Sequence, residues 1–320
     1  MPHILFFTDD SPELTTLIVQ HAPSGFTVSI HPDSLPDAEK VALLADADFV
    51  ILTGRMPPEE AMRRARRLKL IQLTSAGYNH INLPLCRELG IPVANNGGAN
   101  AIDVAEYTLA GILGFYRRLF DLDHHVRTHH WQPMYYGLST YNIHGRTAGV
   151  VGMGRIGRRV ASLLHAFGAR VLYYDQVLLA PAEEAALGVT RTSLPDLLRQ
   201  ADIVTLHVSL TPTSHHLIGR TELALLKPTA LLVNTCRGAV VDEAALIEVL
   251  TAKRILGAVL DVLEQEPPAP DNPILQMDNV LLSPHTAGNS YETWARRGKF
   301  AFENIQRVWA GQPPLAVVNQ

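Results

Sequence analysis

Cysteine is nearly absent from this chain of 320 residues: Cys86 and Cys236 are the only two. They are too few for a disulfide framework and too isolated for a thiolate metal site, which suits a reducing compartment. Long apolar runs are missing as well. No stretch approaches the ~18 residues of a membrane span, and the opening Met1–Asp10 lacks the basic region of a secretory signal, so a cytoplasmic protein without a membrane partner is expected. There is no excess of positive charge either, since 27 Lys and Arg stand against 31 Asp and Glu for a net −4. That excludes a generic basic nucleic-acid binder. Low-complexity segments and short repeats are also lacking. What is plentiful is apolar material, 47% of residues against 18% charged, which excludes a largely disordered protein. The length exceeds the ~250–300 residues that one core usually serves, so two domains are expected.

Short runs of β-branched and aromatic residues alternate with amphipathic stretches, the pattern of parallel sheets with crossover helices. Strands are expected at 3–8, 26–31, 48–53, 70–74 and 91–94, with helices near 12–21, 37–44 and 58–68. A second series of strands falls at 148–151, 170–174, 203–208, 230–234, 258–262 and 280–283, with helices near 155–167, 194–200, 221–226 and 243–251. Between the series a long helix is expected over 101–118, with Asn100 placed to cap it. A last amphipathic helix, about 288–310 through Trp294, Phe300, Ile305 and Val308, leaves too little chain for a third domain and is expected to pack on the first. Two lobes joined by two crossings imply a cleft and a hinge between them.

Val150-Val151-Gly152-Met153-Gly154-Arg155-Ile156-Gly157 follows a strand and opens a helix. A tight turn and close approach to a pyrophosphate leave no room for a Cβ, and the helix N-terminus offers free N–H groups and a positive dipole. The context matters more than the glycines. The next strand ends on Asp175, 18 residues after Gly157, near the ~20 expected of an acid that bonds the adenosine ribose. Asp175 would repel a 2′-phosphate, and no Lys or Arg follows in Gln176-Val177-Leu178, which favours NAD over NADP.

Three more segments lie at or beyond strand ends, where ligand sites of such sheets collect: Leu232-Val233-Asn234-Thr235-Cys236-Arg237-Gly238, Asp261-Val262-Leu263-Glu264-Gln265-Glu266-Pro267 and Ser283-Pro284-His285-Thr286-Ala287-Gly288. Together they supply a cation, a carboxylate and an imidazole. G-M-G-R-I-G, N-T-C-R-G-A-V-V-D-E-A-A-L, D-V-L-E-Q-E-P and P-H-T-A-G stand in the order and approximate spacing of the D-isomer-specific 2-hydroxyacid dehydrogenases. The resemblance covers nearly the whole chain.

It implies two Rossmann-like, doubly wound α/β domains flanking an active-site cleft: a flavodoxin-like substrate-binding domain at 1–100, completed by 286–320, and an NAD-binding domain at 101–285. It also implies that Arg237 orients the substrate, Glu266 is the acidic partner and His285 the general acid/base. The chemistry is sensible by itself. Reducing a 2-keto acid requires a hydride at C2 and a proton at its oxygen, and His exchanges protons near neutral pH. A carboxylate beside it favours the imidazolium, and the planar guanidinium of Arg237 gives an orientation that Lys cannot.

By the same resemblance Gly152, Met153, Gly154, Arg155, Ile156, Gly157, Asp175, His207, Thr235, Cys236, Asp261 and Gly288 serve the cofactor, with Asp261 on the nicotinamide carboxamide. Ser75, Ala76, Gly77 and Asn100 serve the substrate, the N–H groups of Ala76 and Gly77 forming a nest for its carboxylate. The family usually carries Asp where Asn79 and Asn82 stand. Cys236 is taken as packing, because hydride transfer needs no covalent intermediate.

His124, His125, His129 and His130 form a dense cluster, and His125 with His129 has the spacing that places two ligands on one helix face. A third ligand is lacking, so a solvated or subunit-facing surface is expected and no metal. Trp131, Tyr135, Tyr136 and Tyr141 lie in a region that contributes dimer contacts in the family, so a homodimer is expected. The expected substrate is a small 2-keto or D-2-hydroxy acid of the glyoxylate, hydroxypyruvate or pyruvate type. Two alternatives stand beside it. The W-Q-P-x-x-Y-G run is similar to that of phosphite dehydrogenases, although Ala76 stands where they carry lysine, and phosphoglycerate dehydrogenases share the superfamily. From a different class, NAD(H)-sensing corepressors share the fold. Loops at 53–56, Tyr78, 98–100 and 291–294, with Arg55 and Arg296, are expected to set side-chain preference.

Overall fold

The computed structural model describes residues 1–134 and 136–319, which form two compact units: residues 1–100 with 289–320, and residues 101–288. The expected boundary at 285/286 shifts by three residues. Thr286 and Ala287 donate their N–H groups to the Asp261 carboxylate at 2.8 and 2.9 Å, which keeps them in the second unit.

In chain order the first unit contains β1 (His3–Phe7), α1 (Pro12–Val19), β2 (Thr27–His31), α2 (Asp37–Leu44), β3 (Phe49–Leu52), α3 (Glu59–Arg64), β4 (Leu70–Leu73), α4 (Leu83–Glu88) and β5 (Val93–Ala94). The second runs α5 (Ala101–Tyr116), α6 (Leu119–Arg127), β6 (Thr147–Val151), α7 (Arg155–Ala166), β7 (Arg170–Tyr174), α8 (Pro181–Leu187), β8 (Val189–Arg191), α9 (Leu194–Gln200), β9 (Ile203–Leu206), α10 (Arg220–Leu223), β10 (Leu231–Asn234), α11 (Glu243–Thr251), β11 (Gly257–Leu260) and β12 (Val280–Leu282). Helix α12 (Tyr291–Trp309) returns to the first unit.

Both sheets pair in parallel throughout, in the orders β2-β1-β3-β4-β5 and β12-β11-β10-β9-β6-β7-β8. These are the two doubly wound arrangements, the first flavodoxin-like and the second Rossmann-like. Each sheet is buried on both faces, so its strands read as unbroken apolar runs. In β1, Ile4 and Phe6 join one core with Phe49, Ile51, Trp294, Phe302 and Ile305, while Leu5 and Phe7 join the opposite core with Val50, Leu52 and Ile71. In the second sheet Val150, Ile203, Leu231 and Val233 face one core, and Val151, Val204, Leu206 and Leu232 the other.

Three differences from the sequence reading have local causes. The helix expected over 101–118 forms as α5 and ends at Tyr116; Arg118 adopts a left-handed φ of 51° and its guanidinium pairs with Asp121 at 3.3 Å, and α6 starts after it. Helix α6 ends at Arg127, where the Thr128 hydroxyl bonds the carbonyls of His124 and His125. His129, at φ 66°, lies outside it, so His125 and His129 do not share a helix face. Among the described residues no group of three or more His, Cys, Asp or Glu is arranged to hold a metal ion. Tyr135 of the aromatic cluster lies outside the described residues. Helices α4, α6 and α8 and strand β8 were not expected. α4 is capped by the Asn82 carboxamide, which accepts from Leu85 N at 3.1 Å, as an Asp would. Among the described residues no helix is long and apolar enough to cross a membrane.

The C-terminal segment is tied down by buried amides. Asn304 on α12 donates to Gln72 Oε1 at 2.8 Å and to Leu315 O at 3.1 Å, and accepts from Leu315 N at 2.7 Å. Asn319 accepts from Val93 N at 2.8 Å and donates to Ile91 O at 2.9 Å. Asn304→Leu strands a buried acceptor on Gln72 and both polar groups of Leu315. It is expected to destabilise the first unit by about 2–3 kcal/mol, read in urea unfolding by tryptophan fluorescence, and a change below ~0.5 kcal/mol would contradict this account.

Candidate active site

Because all seven strands of the second sheet run in parallel, the residues that follow them gather at one edge. Gly152 follows β6, Asp175 β7, His207 β9, Thr235 to Arg237 β10, Asp261 β11 and Ser283 to His285 β12. The strand order reverses between β6 and β9, where a crevice for ligands forms in such sheets.

At that reversal the backbone is crowded. Gly152 has a φ of 97°, and a Cβ on it would stand 2.6 Å from the His207 carbonyl oxygen. A Cβ on Gly157 would stand 1.9 Å from the Gly152 carbonyl oxygen, so α7 is drawn against the loop. A Cβ on Gly154 would meet nothing within 4 Å. The N-terminus of the twelve-residue α7, headed by Arg155 and Ile156, thus opens onto free space that a pyrophosphate can fill. Asp175 Oδ2 accepts from Met153 N at 2.5 Å and Oδ1 from Val177 N at 2.8 Å, fixing the acid at the tip of β7 beside the loop.

His207 is held by its Nε2 contact to Thr205 Oγ1 at 2.9 Å, while its buried Nδ1 has no partner among the described residues. Burial without a counter-charge pushes its pKa down to about 3. A neutral ring with one open nitrogen suits a hydroxyl-bearing ligand. Thr235 is buried and its hydroxyl bonds Thr108 of α5 at 3.1 Å. The Cys236 thiol donates to Asn234 Oδ1 at 3.1 Å, and burial pushes its pKa up to about 11. It stays a thiol and is no nucleophile.

Arg237 opens the turn after β10, and its Nη1 donates to the Cys236 carbonyl at 2.5 Å. The next residue explains that turn's neighbours: a Cβ on Gly238 would stand 1.9 Å from the carbonyl carbon of Leu263. Only glycine lets the Arg237 turn lie against the loop that carries Glu266. That loop brings Glu266 Oε2 to His285 Nδ1 at 2.7 Å, while Glu266 Oε1 accepts from Leu263 N at 3.1 Å. The pair sits at the surface, both side chains partly exposed.

His285 itself has a left-handed φ of 55°, uncommon for a residue with a side chain. Asp261, at 1% exposure, holds it there. The Asp261 carbonyl accepts from His285 N at 2.8 Å; Oδ1 takes the Ser283 hydroxyl at 2.7 Å and Thr286 N at 2.8 Å, and Oδ2 takes Ala287 N at 2.9 Å. The sequence reading aimed Asp261 at the cofactor and did not see this network. It also missed Glu243, at the head of α11, which accepts from Glu264 N and Asn272 Nδ2, both at 2.8 Å. No local pattern marks either role. Gly288 closes the second unit just beyond this loop.

The remaining site residues lie in the first unit. Ser75 Oγ donates to Gly77 O at 2.7 Å, folding the turn after β4, and the Ala76 carbonyl takes Asn95 Nδ2 at 3.1 Å. The N–H groups of Ala76 and Gly77 meet no acceptor among the described residues, as a nest for an anion requires. Asn100 Oδ1 accepts from Asn96 Nδ2 at 3.1 Å. Arg296 is engaged with the Ala99 carbonyl at 2.9 Å.

The low pKa of His207 gives stability a pH dependence. Its imidazole takes up a proton on unfolding, so the contribution is complete above about 6.5 and is lost as pH falls toward about 3. His207→Gln is expected to flatten the fall in unfolding free energy between pH 6.5 and 4. Equal slopes for variant and parent would show that His207 is not buried neutral.

The family model for the NAD binding domain of D-isomer specific 2-hydroxyacid dehydrogenases matches residues 109–287. Glyoxylate reductases of Korarchaeum cryptofilum and Aeropyrum pernix are 37% and 39% identical, over 99% and 100% of this chain and 96% of each relative. Among solved structures, a Thermus thermophilus protein superposes with a TM-score of 0.85 at 34% identity, covering 99% of each chain. An NAD-complexed D-isomer specific 2-hydroxyacid dehydrogenase from Lactobacillus delbrueckii gives 0.82 at 26% identity, covering 99% of this chain and 100% of the other. The glycine loop with Asp175, the Glu266–His285 pair and these matches over the full length agree: the chain belongs to the D-isomer specific 2-hydroxyacid dehydrogenases, NAD-dependent oxidoreductases.

Proposed function

We propose that the protein reduces a small 2-keto acid of the glyoxylate type to its D-2-hydroxy acid, with His285, Glu266 and Arg237 as its catalytic residues. The observation that carries this reading is the 2.7 Å bond between His285 Nδ1 and Glu266 Oε2. With Nδ1 turned to the carboxylate, Nε2 is the ring nitrogen left to face a substrate. Glu266 fixes the ring's orientation through Nδ1, so Nε2 is the nitrogen that can pass a proton to the carbonyl oxygen. In the oxidising direction Nε2 takes that proton back from the hydroxyl. Arg237, on the turn that Gly238 presses against the Glu266 loop, binds the substrate carboxylate and polarises the carbonyl through its planar fork.

Bound NADH supplies the hydride. The residues we assign to hold it are the glycine loop from Gly152 to Gly157, including Met153, Gly154, Arg155 and Ile156, together with Asp175, His207, Thr235, Cys236, Asp261 and Gly288. Asp175 favours NAD over NADP because its carboxylate stands where a 2′-phosphate would add like charge. In the first unit we assign Ser75, Ala76, Gly77 and Asn100 to substrate, making residues 1–100 with the C-terminal segment the substrate domain and the second unit the NAD domain. The two relatives named as glyoxylate reductases support the choice of a two-carbon to three-carbon keto acid.

The test is oxidation of NADH, followed by absorbance, with glyoxylate, hydroxypyruvate and pyruvate. Turnover with at least one is expected, and none with all three would overturn the substrate class. His285→Ala should lower kcat by about 10²–10⁴-fold with NADH binding retained, and Glu266→Gln by a smaller factor. A fully active His285→Ala removes His285 from its role.

We also propose a homodimer formed through residues 119–138, where Leu119, Phe120, Val126, Trp131, Met134 and Leu138 are all half exposed or more. Aromatic and methionine side chains are enriched in such interfaces. Light scattering should give twice the chain mass and Phe120→Asp should lower it toward one; a monomeric parent rejects the proposal. A reducing, cytoplasmic setting is supported by the free thiols of Cys86 and Cys236, and cell fractionation checks it.

A further inference from the structure

We propose that His216 is a positioning residue for the Glu266–His285 pair and acts through Glu264; the proposal rests on the reading of that pair given above. The loop from Glu264 to Pro267 is exposed at every residue, so no apolar core holds it. Its position depends on a few polar ties and one backbone contact. On one side the Leu263–Glu264 peptide rests on Gly238. From α11, Glu243 Oε2 accepts the Glu264 N–H at 2.8 Å. Glu266 Oε1 folds back on Leu263 N. A further tie is a side-chain bond, His216 Nε2 to Glu264 Oε1 at 2.5 Å, two residues before the carboxylate that meets His285.

His216 is itself rigidly presented. It has a left-handed φ of 50°, unusual for a residue with a Cβ. Its N–H donates to the Ala239 carbonyl at 2.8 Å, and Ile218 N donates to Val240 O at 3.1 Å. A parallel bridge joins Ile218 to Val241. Its ring stacks on that of His215, with centroids 4.0 Å apart and planes 29° from parallel. The segment bearing His216 is therefore fastened to the same 237–241 stretch whose glycine abuts Leu263. The Glu266 loop is gripped twice from that stretch, by backbone at Gly238 and by side chain at His216. Releasing the second grip leaves the Glu264 side chain unheld and the loop resting on Gly238 and the Glu243 bond, which loosens the Leu263–Glu266 turn that aims the Glu266 carboxylate.

This role predicts a loss in turnover without a loss in cofactor binding. Keto-acid reduction is measured at saturating NADH for the parent, His216→Ala, Glu264→Ala, the double variant and His216→Gln, with thermal midpoints recorded alongside. His216→Ala and Glu264→Ala should each lower kcat about three- to ten-fold, the size of a coupling between contacting side chains, with the KM for NADH within about two-fold. The double variant should be no worse than the poorer single. His216→Gln, whose amide can still donate to Glu264, should recover most of the loss, and His216→Ala should cost nothing further in a Glu266→Gln background. Parent-like kcat in His216→Ala, losses that multiply in the double variant, or no recovery with Gln would each overturn the proposal. If Glu266→Gln alone leaves kcat intact, the reading of the catalytic pair fails and this one with it. A Glu266→Gln effect without a His216→Ala effect rejects His216 alone.

Discussion

A buried carboxylate that meets no donor is among the most costly groups a fold can contain. Asp261, at 1% exposure, meets three, and all of them come from the five residues Ser283 to Ala287. Four of the polar contacts that define that loop thus converge on one residue at the end of β11, counting the bond from His285 N to the Asp261 carbonyl. Moving the loop would strand the charge. The left-handed backbone of His285 is sustained because these bonds over-determine it, and the imidazole is thereby aimed at Glu266 rather than left to the rotamers of an exposed side chain.

The rest of the site is built against this fixed point by close backbone approach. Gly238 lets the Arg237 turn touch the Leu263–Glu264 peptide, and Gly152 and Gly157 let the glycine loop, the start of α7 and the residue after β9 crowd together. At each of these positions a methyl group would overlap backbone atoms, which cannot move aside as a side-chain tip can. The polar groups then divide by environment. His207 is kept neutral by burial and Cys236 stays a protonated thiol, whereas Glu266 and His285 stand at the surface, open to solvent. The division leaves the Glu266–His285 pair among buried neighbours that do not exchange protons near neutral pH.

Both units rest on one architectural device, a parallel sheet covered on both faces, so that neighbouring residues of one strand enter different cores. In the second unit the device has a functional consequence. Parallel pairing puts every strand's carboxyl end on the same edge, and six loops that are far apart in sequence become neighbours there. In the first unit the same pairing leaves the 75–77 turn after β4 with two N–H groups that meet no acceptor among the described residues.

Much of this was legible in the order of residues. Unbroken apolar runs marked the strands, and α2, α9, α11 and β7 fall where periodicity and caps placed them. The glycine spacing with an acid 18 residues on, and the order of the later motifs, resembled the NAD-dependent family to which the chain belongs. Short elements were less legible. Helix α8 carries a first-turn Pro181, Glu183, Glu184 and a terminal Gly188 at φ 64°, signals that were present but brief, and α6 has no side-chain cap to announce its start. What only the tertiary structure decided is how the motifs are held: Asp261 fastening the His285 loop, Glu243 and His216 gripping Glu264, and Gly238 admitting Leu263. These are contacts between residues some twenty to fifty positions apart, and a hydrogen bond or a van der Waals limit acts on distance in space, which sequence spacing does not carry.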